Sequence, residues 1–170
     1  VISNNPPAAL KILPDDHDAL STPCDKYVSL TDINDSDFNS VVTEMLILMI
    51  ESEGVGLAAN QVGLFKRFFV MSIGNGGYDP IYNPDWKPLR DSKLRNVEEG
   101  CLSLSGGTVC RQVLRWDKIE ATWLNASGET ETRILSGIDS QCFQHETDHL
   151  NGIPFTEMPG KHPSPVIRSM

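Results

Sequence analysis

A chain of 170 residues, 39% apolar and 22% charged, is sized for one domain that buries a core without disulfides or a structural metal. The net charge of −9 and pI near 4.8 argue against nucleic-acid or anionic-membrane binding, which needs a basic patch. No run is long enough to span a membrane, a secretory leader is not expected, and four cysteines (Cys24, Cys101, Cys110, Cys142) read as reduced thiols in a cytosol-like compartment.

In chain order, residues 1–9 carry Asn4, Asn5, Pro6 and Pro7 and are expected to form a loose arm. Leu10 to Leu13 is a short apolar run. Pro14-Asp15-Asp16 is turn chemistry, followed by a surface histidine, His17, and a packing cysteine, Cys24. Apolar residues from Phe38 to Ile50 predict a largely buried helix over 37–52, capped by Asp35, Ser36 or Asp37 and ended by Gly54. Gly54-Val55-Gly56-Leu57-Ala58-Ala59-Asn60-Gln61 is built of small residues that let a backbone approach something closely, with one amide, Gln61, able to donate to an oxygen.

Phe65 to Ile73 predicts a strand. Residues 78–88 hold three prolines and are expected to be mostly irregular, and 91–96 to be a charged loop. Glu98 to Leu104 is extended and carries Cys101; Ser105-Gly106-Gly107 turns. Residues 109–113 and 118–124 are expected to pair with each other, and 129–135 to return as a further hairpin strand. A last helix is expected over 139–151, capped by Gly152 and stopped by Pro154. The tail, about 155–170, is short and proline-rich, and residues after Phe155 are expected to be dispensable.

That last helix contains His145-Glu146-Thr147-Asp148-His149. Two histidines at i and i+4 leave a helix on one face, a spacing that lets two imidazoles chelate one metal ion. Glu146 sits where a general base can reach metal-activated water without being a ligand. Two other sites use similar parts. A zinc endopeptidase would need a third ligand downstream, from Glu157 or His162. A closed structural site would need a fourth ligand from Cys142 or Cys110.

Three segments in order, Gly54 to Gln61, Glu99-Gly100-Cys101-Leu102-Ser103 and Gln144 to Leu150, resemble the signature motifs of the peptide deformylases. The resemblance implies an α+β fold, with antiparallel sheets around a central helix bearing His-Glu-x-x-His, in a single catalytic domain spanning 1–170. It implies a hydrolase that removes the formyl group from N-formylmethionyl nascent peptides, with Glu146 as general acid and base. It implies one divalent ion on Cys101, His145 and His149: Fe(II) natively, with Zn(II), Ni(II) or Co(II) able to substitute. Gln61 and the Leu102 N–H would stabilise the developing oxyanion. Gly54, Val55, Gly56, Gly100 and Cys142 would contact the peptide. By the same resemblance Arg115 would pair with Asp148, Arg111 being the alternative. The expected partners are formylated peptides and, transiently, the ribosome. The expected form is a monomer in a bacterial or phage-infected cytoplasm, an organelle being the other setting. The sequence departs from the family at Ser105-Gly106-Gly107-Thr108, at Gln141, where a small or apolar pocket residue is usual, and in its short tail.

Overall fold

The computed structural model describes residues 9–74 and 76–160 and the backbone of 166–167. Most of the arm expected over 1–9 and the outer part of the tail lie outside the described residues. A short 3-10 turn, Asp18–Ser21, and a one-turn helix, α1 (Leu30–Ile33), lead into α2 (Ser36–Glu51). The Asp35 carboxylate caps α2 by accepting the Phe38 N–H at 2.8 Å. Only the stripe Val42, Met45 and Met49 is fully buried; Ile47 and Ile50 are exposed. The helix therefore lies on the surface of the core, less buried than its apolar content suggests, because its neighbours cover one side only.

The strands are β1 (Gly56–Ala58), β2 (Phe68–Ile73), β3 (Gly77–Pro88), β4 (Leu94–Gly100), β5 (Val109–Trp116), β6 (Lys118–Leu124), β7 (Thr130–Ser136) and β8 (Val166–Ile167). Every pairing between these strands is antiparallel. One sheet has the order β1-β2-β3-β6-β7, the other β4-β5-β8. With three α-helices among the described residues this is an α+β architecture.

Three expectations about the strands need correction. The proline-rich stretch is the 12-residue strand β3. Each proline sits where the ladder tolerates a missing donor. Pro80 lies where β3 pairs with β2 alone, Pro84 falls in the register break between Tyr82 and Asp85, and Pro88 ends the strand. The charged loop is shorter than expected, since β4 begins at Leu94; the Asp117 carboxylate binds Ser92 Oγ and Lys93 N–H and ties the loop down. β5 and β6 do not pair with each other. A single residue, Asp117, joins them, too little for a hairpin turn, so the chain corners from one sheet to the other.

The last helix, α3 (Gly137–Leu150), packs on β1, β2, β5, β6 and β7. Phe143 meets Phe69 edge to face, with ring centroids 5.2 Å apart, and touches Trp123 at 5.8 Å. At the corner after β5, Gln144 accepts the Trp116 N–H and donates to its carbonyl, both at 2.9 Å, and Ser140 Oγ donates to the same carbonyl. These bonds fix α3 between the two sheets. The inner tail is also packed. Phe155 and Met158 are fully buried with Cys101 and Val113, and the Pro159 carbonyl accepts the Leu114 N–H at 2.8 Å. The tail is thus part of the core as far as Pro159. Among the described residues no helix is long and apolar enough to cross a membrane.

Candidate active site

A cleft of about 340 Å³ opens between the free edges of the two sheets, β1 on one side and β4 on the other, with α3 as its floor. Residues 138, 141, 142 and 145 follow the i, i+3, i+4, i+7 spacing, so one face of α3 lines it, with Glu146 beside them.

At the bottom three donors converge. Cys101 Sγ lies 3.3 Å from His149 Nε2, which lies 3.2 Å from His145 Nε2, and all three ligand atoms fall within 4.8 Å of one another. Tetrahedral ligands of a first-row ion, at the usual metal–nitrogen and metal–sulfur lengths, stand about 3.3–3.6 Å apart. The donor set therefore fits a divalent ion. His149 Nδ1 and Glu146 Oε2 are buried without a partner among the described residues, an unusual state for polar atoms unless a further group or water belongs beside them. Cys101 comes from the turn after β4, so the site forms only when the second sheet docks against α3.

Behind the donors lies an ion network. Glu99 Oε2 meets His145 Nδ1 at 2.8 Å, which leaves Nε2 turned to the other donors. Arg115 donates to both Glu99 oxygens, at 2.8 and 3.0 Å, and to Asp148 Oδ2 at 2.5 Å. The expected Arg115–Asp148 pair is present. Glu99 was given no role from sequence, although i and i+2 spacing in an extended segment puts it on the same side as Cys101. Burial pushes the Glu99 carboxyl up, but the His145 and Arg115 contacts outweigh it and hold it at about 2. Burial likewise pushes Asp148 up, and Arg115 draws it back in part. Without metal, burial lowers His149 and the charges of His145 and Arg115 lower it further. At His145, burial is outweighed by Cys101 and Glu99, which push it up.

Glu146 is buried, and that burial raises its carboxyl to about 7. Gln61 is buried too. Its Oε1 accepts the Ala58 N–H at 2.9 Å, while its Nε2 donates to Ser103 Oγ at 3.1 Å and sits 3.6 Å from Cys101 Sγ. The Leu102 side chain fills the space between the two rims. A Cβ on Gly54 would stand 2.6 Å from its Cδ1, and one on Gly100 would stand 2.7 Å from the Gly107 carbonyl. A Cβ on Gly56 would stand 2.8 Å from Cys142 Sγ and would also strike Glu146. These glycines are therefore needed for packing as well as for any approach of a peptide. Val55, 51% exposed, stands at the cleft mouth, and its carbonyl accepts from Ser72 N–H and the Cys142 thiol.

Among the described residues, neither competing site finds its extra ligand. Glu157 is exposed and outside the donor group, and His162 lies outside the described residues. Cys142 faces Val55, and Cys110 lines the cleft without joining the donors. His17 is exposed, its Nδ1 capping the 3-10 turn at Ala19, and Cys24 is core. Asp15 also went unrecognised: it is buried and accepts the Phe155 and Thr156 N–H groups, fastening the tail. Nothing in a Pro-Asp-Asp turn announces a partner 140 residues away.

The polypeptide deformylase family profile matches residues 9–162. The chain belongs to the polypeptide deformylase family. A peptide deformylase of Fusobacterium nucleatum subsp. nucleatum is 39% identical over 132 residues, 78% of this chain and 74% of that protein. The crystal structure of the Thermotoga maritima peptide deformylase superposes with a TM-score of 0.78 at 30% identity, covering 89% of this chain and 98% of that one. That of a Synechococcus elongatus peptide deformylase in complex with actinonin gives 0.79 at 27% identity, over 93% of this chain and 81% of the other. Family membership makes this chain a hydrolase of the peptide deformylase class, with a candidate metal-binding group at Cys101, His145 and His149.

Proposed function

We infer that this chain removes the formyl group from N-formylmethionyl nascent peptides with the help of one divalent ion held by Cys101, His145 and His149. The observation that carries the reading is the convergence of those three atoms beside the buried carboxyl of Glu146. Three protein ligands leave a coordination position for water or substrate. When bound, the ion supplies a Lewis acid that acidifies water and polarises the formyl oxygen. A thiolate with two imidazoles suits Fe(II), Zn(II), Co(II) or Ni(II), and Fe(II) is the native ion by family resemblance.

Glu146 takes the proton of the attacking water as the oxygen adds to the formyl carbon. It then gives that proton to the amine nitrogen as the carbon–nitrogen bond breaks, so formate and a free N-terminus result. The Gln61 amide and the Leu102 N–H donate to the oxyanion that develops. The segment from Gly54 to Gly56 that leads into β1, with Gly100 opposite, pairs with the extended peptide backbone, and Cys142 lines its side-chain pocket. The whole chain acts as one catalytic domain and as a monomer, meeting the ribosome transiently in a bacterial or phage-infected cytoplasm, or in an organelle.

The test is deformylation of N-formyl-Met-Ala-Ser by nickel-loaded protein, with metal analysis alongside. Glu146→Ala should keep about one ion per chain and lose roughly 10²–10⁴-fold in rate. A variant that keeps its metal and the parent rate would overturn the role of Glu146.

A further inference from the structure

Gln141 occupies a place in the cleft that the reaction itself does not explain. It lies one helical turn before His145 on the α3 face that lines the cleft, between Ile138 and Cys142. Its Nε2 reaches across to the β4 edge and donates to the Glu98 carbonyl at 3.2 Å. Among the described residues that is the amide's one hydrogen bond. A primary amide carries two N–H donors and an acceptor oxygen, so pinning one donor orients the group and leaves the second N–H unused. Ile138 and Val55 are apolar, and the Cys142 thiol is committed to the Val55 carbonyl at 3.5 Å.

The spacing sets which substrate atom meets this amide. One turn of helix is about 5 Å. A side chain of methionine length, starting next to the formyl group over His145 and Glu146, reaches about that far along the wall with its δ atom. In methionine that atom is sulfur, a weak acceptor; in its sulfoxide it bears a strong acceptor oxygen; in norleucine it is a methylene. The same kind of contact occurs inside this protein, where Arg115 Nη2 donates to the Met158 sulfur at 3.2 Å.

We propose that Gln141, held by the Glu98 carbonyl, is a specificity-determining residue that reads an acceptor at the δ position of the first side chain, so that the enzyme takes N-formylmethionine sulfoxide peptides as well as N-formylmethionyl ones. The inference rests on the deformylase reading above. The chemistry is unchanged: water adds to the formyl carbon, and the amine leaves with the proton.

The experiment measures kcat/KM of nickel-loaded protein on N-formyl-X-Ala-Ser, with X methionine, norleucine or methionine sulfoxide. In the parent the sulfoxide-to-norleucine ratio is at or above one. In Gln141→Leu, which keeps the volume and removes the amide, the ratio falls about tenfold. A parent ratio well below one, or a ratio unchanged in Gln141→Leu, overturns the inference while formyl-Met turnover still supports the deformylase reading. A metal-loaded parent inactive on formyl-Met overturns both. If the variant fails to fold, the parent ratio alone decides.

Discussion

Two buried carboxylates flanking the same histidine have opposite acid–base fates. Glu99 sits below its unfolded value because Arg115 and His145 overcome its burial, so its stabilisation is present above about pH 4.5 and is lost as pH falls toward 2. Glu146 sits above its unfolded value because burial dominates, so the folded metal-free chain holds a proton that the unfolded chain releases. The stability of the metal-free protein should therefore fall between about pH 4.5 and 7. Glu146→Gln should reduce that slope, to which the raised Asp148 and His145 also contribute, and add about 3 kcal/mol at pH 8, measured by urea unfolding of the metal-free form. An equal gain at pH 4 and pH 8 would mean that Glu146 is not the titrating group. Glu99→Gln should loosen His145 and lower metal affinity about 10- to 100-fold in a competition titration with a chelator, because a supporting partner of a ligand is weakened.

Elements meet at this site through single side chains. Arg115 on β5 joins Glu99 on β4 to Asp148 on α3, with its side chain 4% exposed. Arg115→Ala leaves the buried Glu99 and the half-buried Asp148 without their shared cation and should cost about 3–5 kcal/mol, with much of the loss at neutral pH recovered on acidification as they protonate. Denaturant curves at pH 7 and pH 5 check this; equal losses at both would place the cost in packing. The tail is a second such element. Truncation after Pro154 removes Phe155, whose ring lies 5.4 Å from that of His145, together with Met158, and should destabilise the chain by several kcal/mol and lower metal content. Truncation after Gly160 spares both but removes β8 from the edge of β5, so metal content should be kept and the loss of stability should be smaller. The segment from Phe155 to Pro159 is therefore not dispensable, since Asp15 and the Leu114 amide hold it.

For the molecule as a whole, the ion is expected to bind the folded chain only, because Cys101 and the two histidines lie on different elements. Removing it should lower the melting temperature, and restoring nickel should bring it back. Cys101→Ala should lose metal and activity together; a full ion per chain in that variant would move the site elsewhere. The sequence by itself determined what is local. Helical spacing put His145 and His149 on one face with Glu146 between them. Caps and glycines marked α2 and α3 to within two residues, and three short motifs carried the family. Only the tertiary structure decided what depends on distant partners. β3 persists through three prolines because its pairing on either side is partial. β5 and β6 part because Asp117 corners the chain. Glu99, Gln144 and Asp15 acquire their roles from residues 46, 28 and 140 positions away, a separation that no local periodicity encodes. Hydrogen-bonding need is written in each of these side chains, but the identity of the partner is set by how the two sheets close on α3.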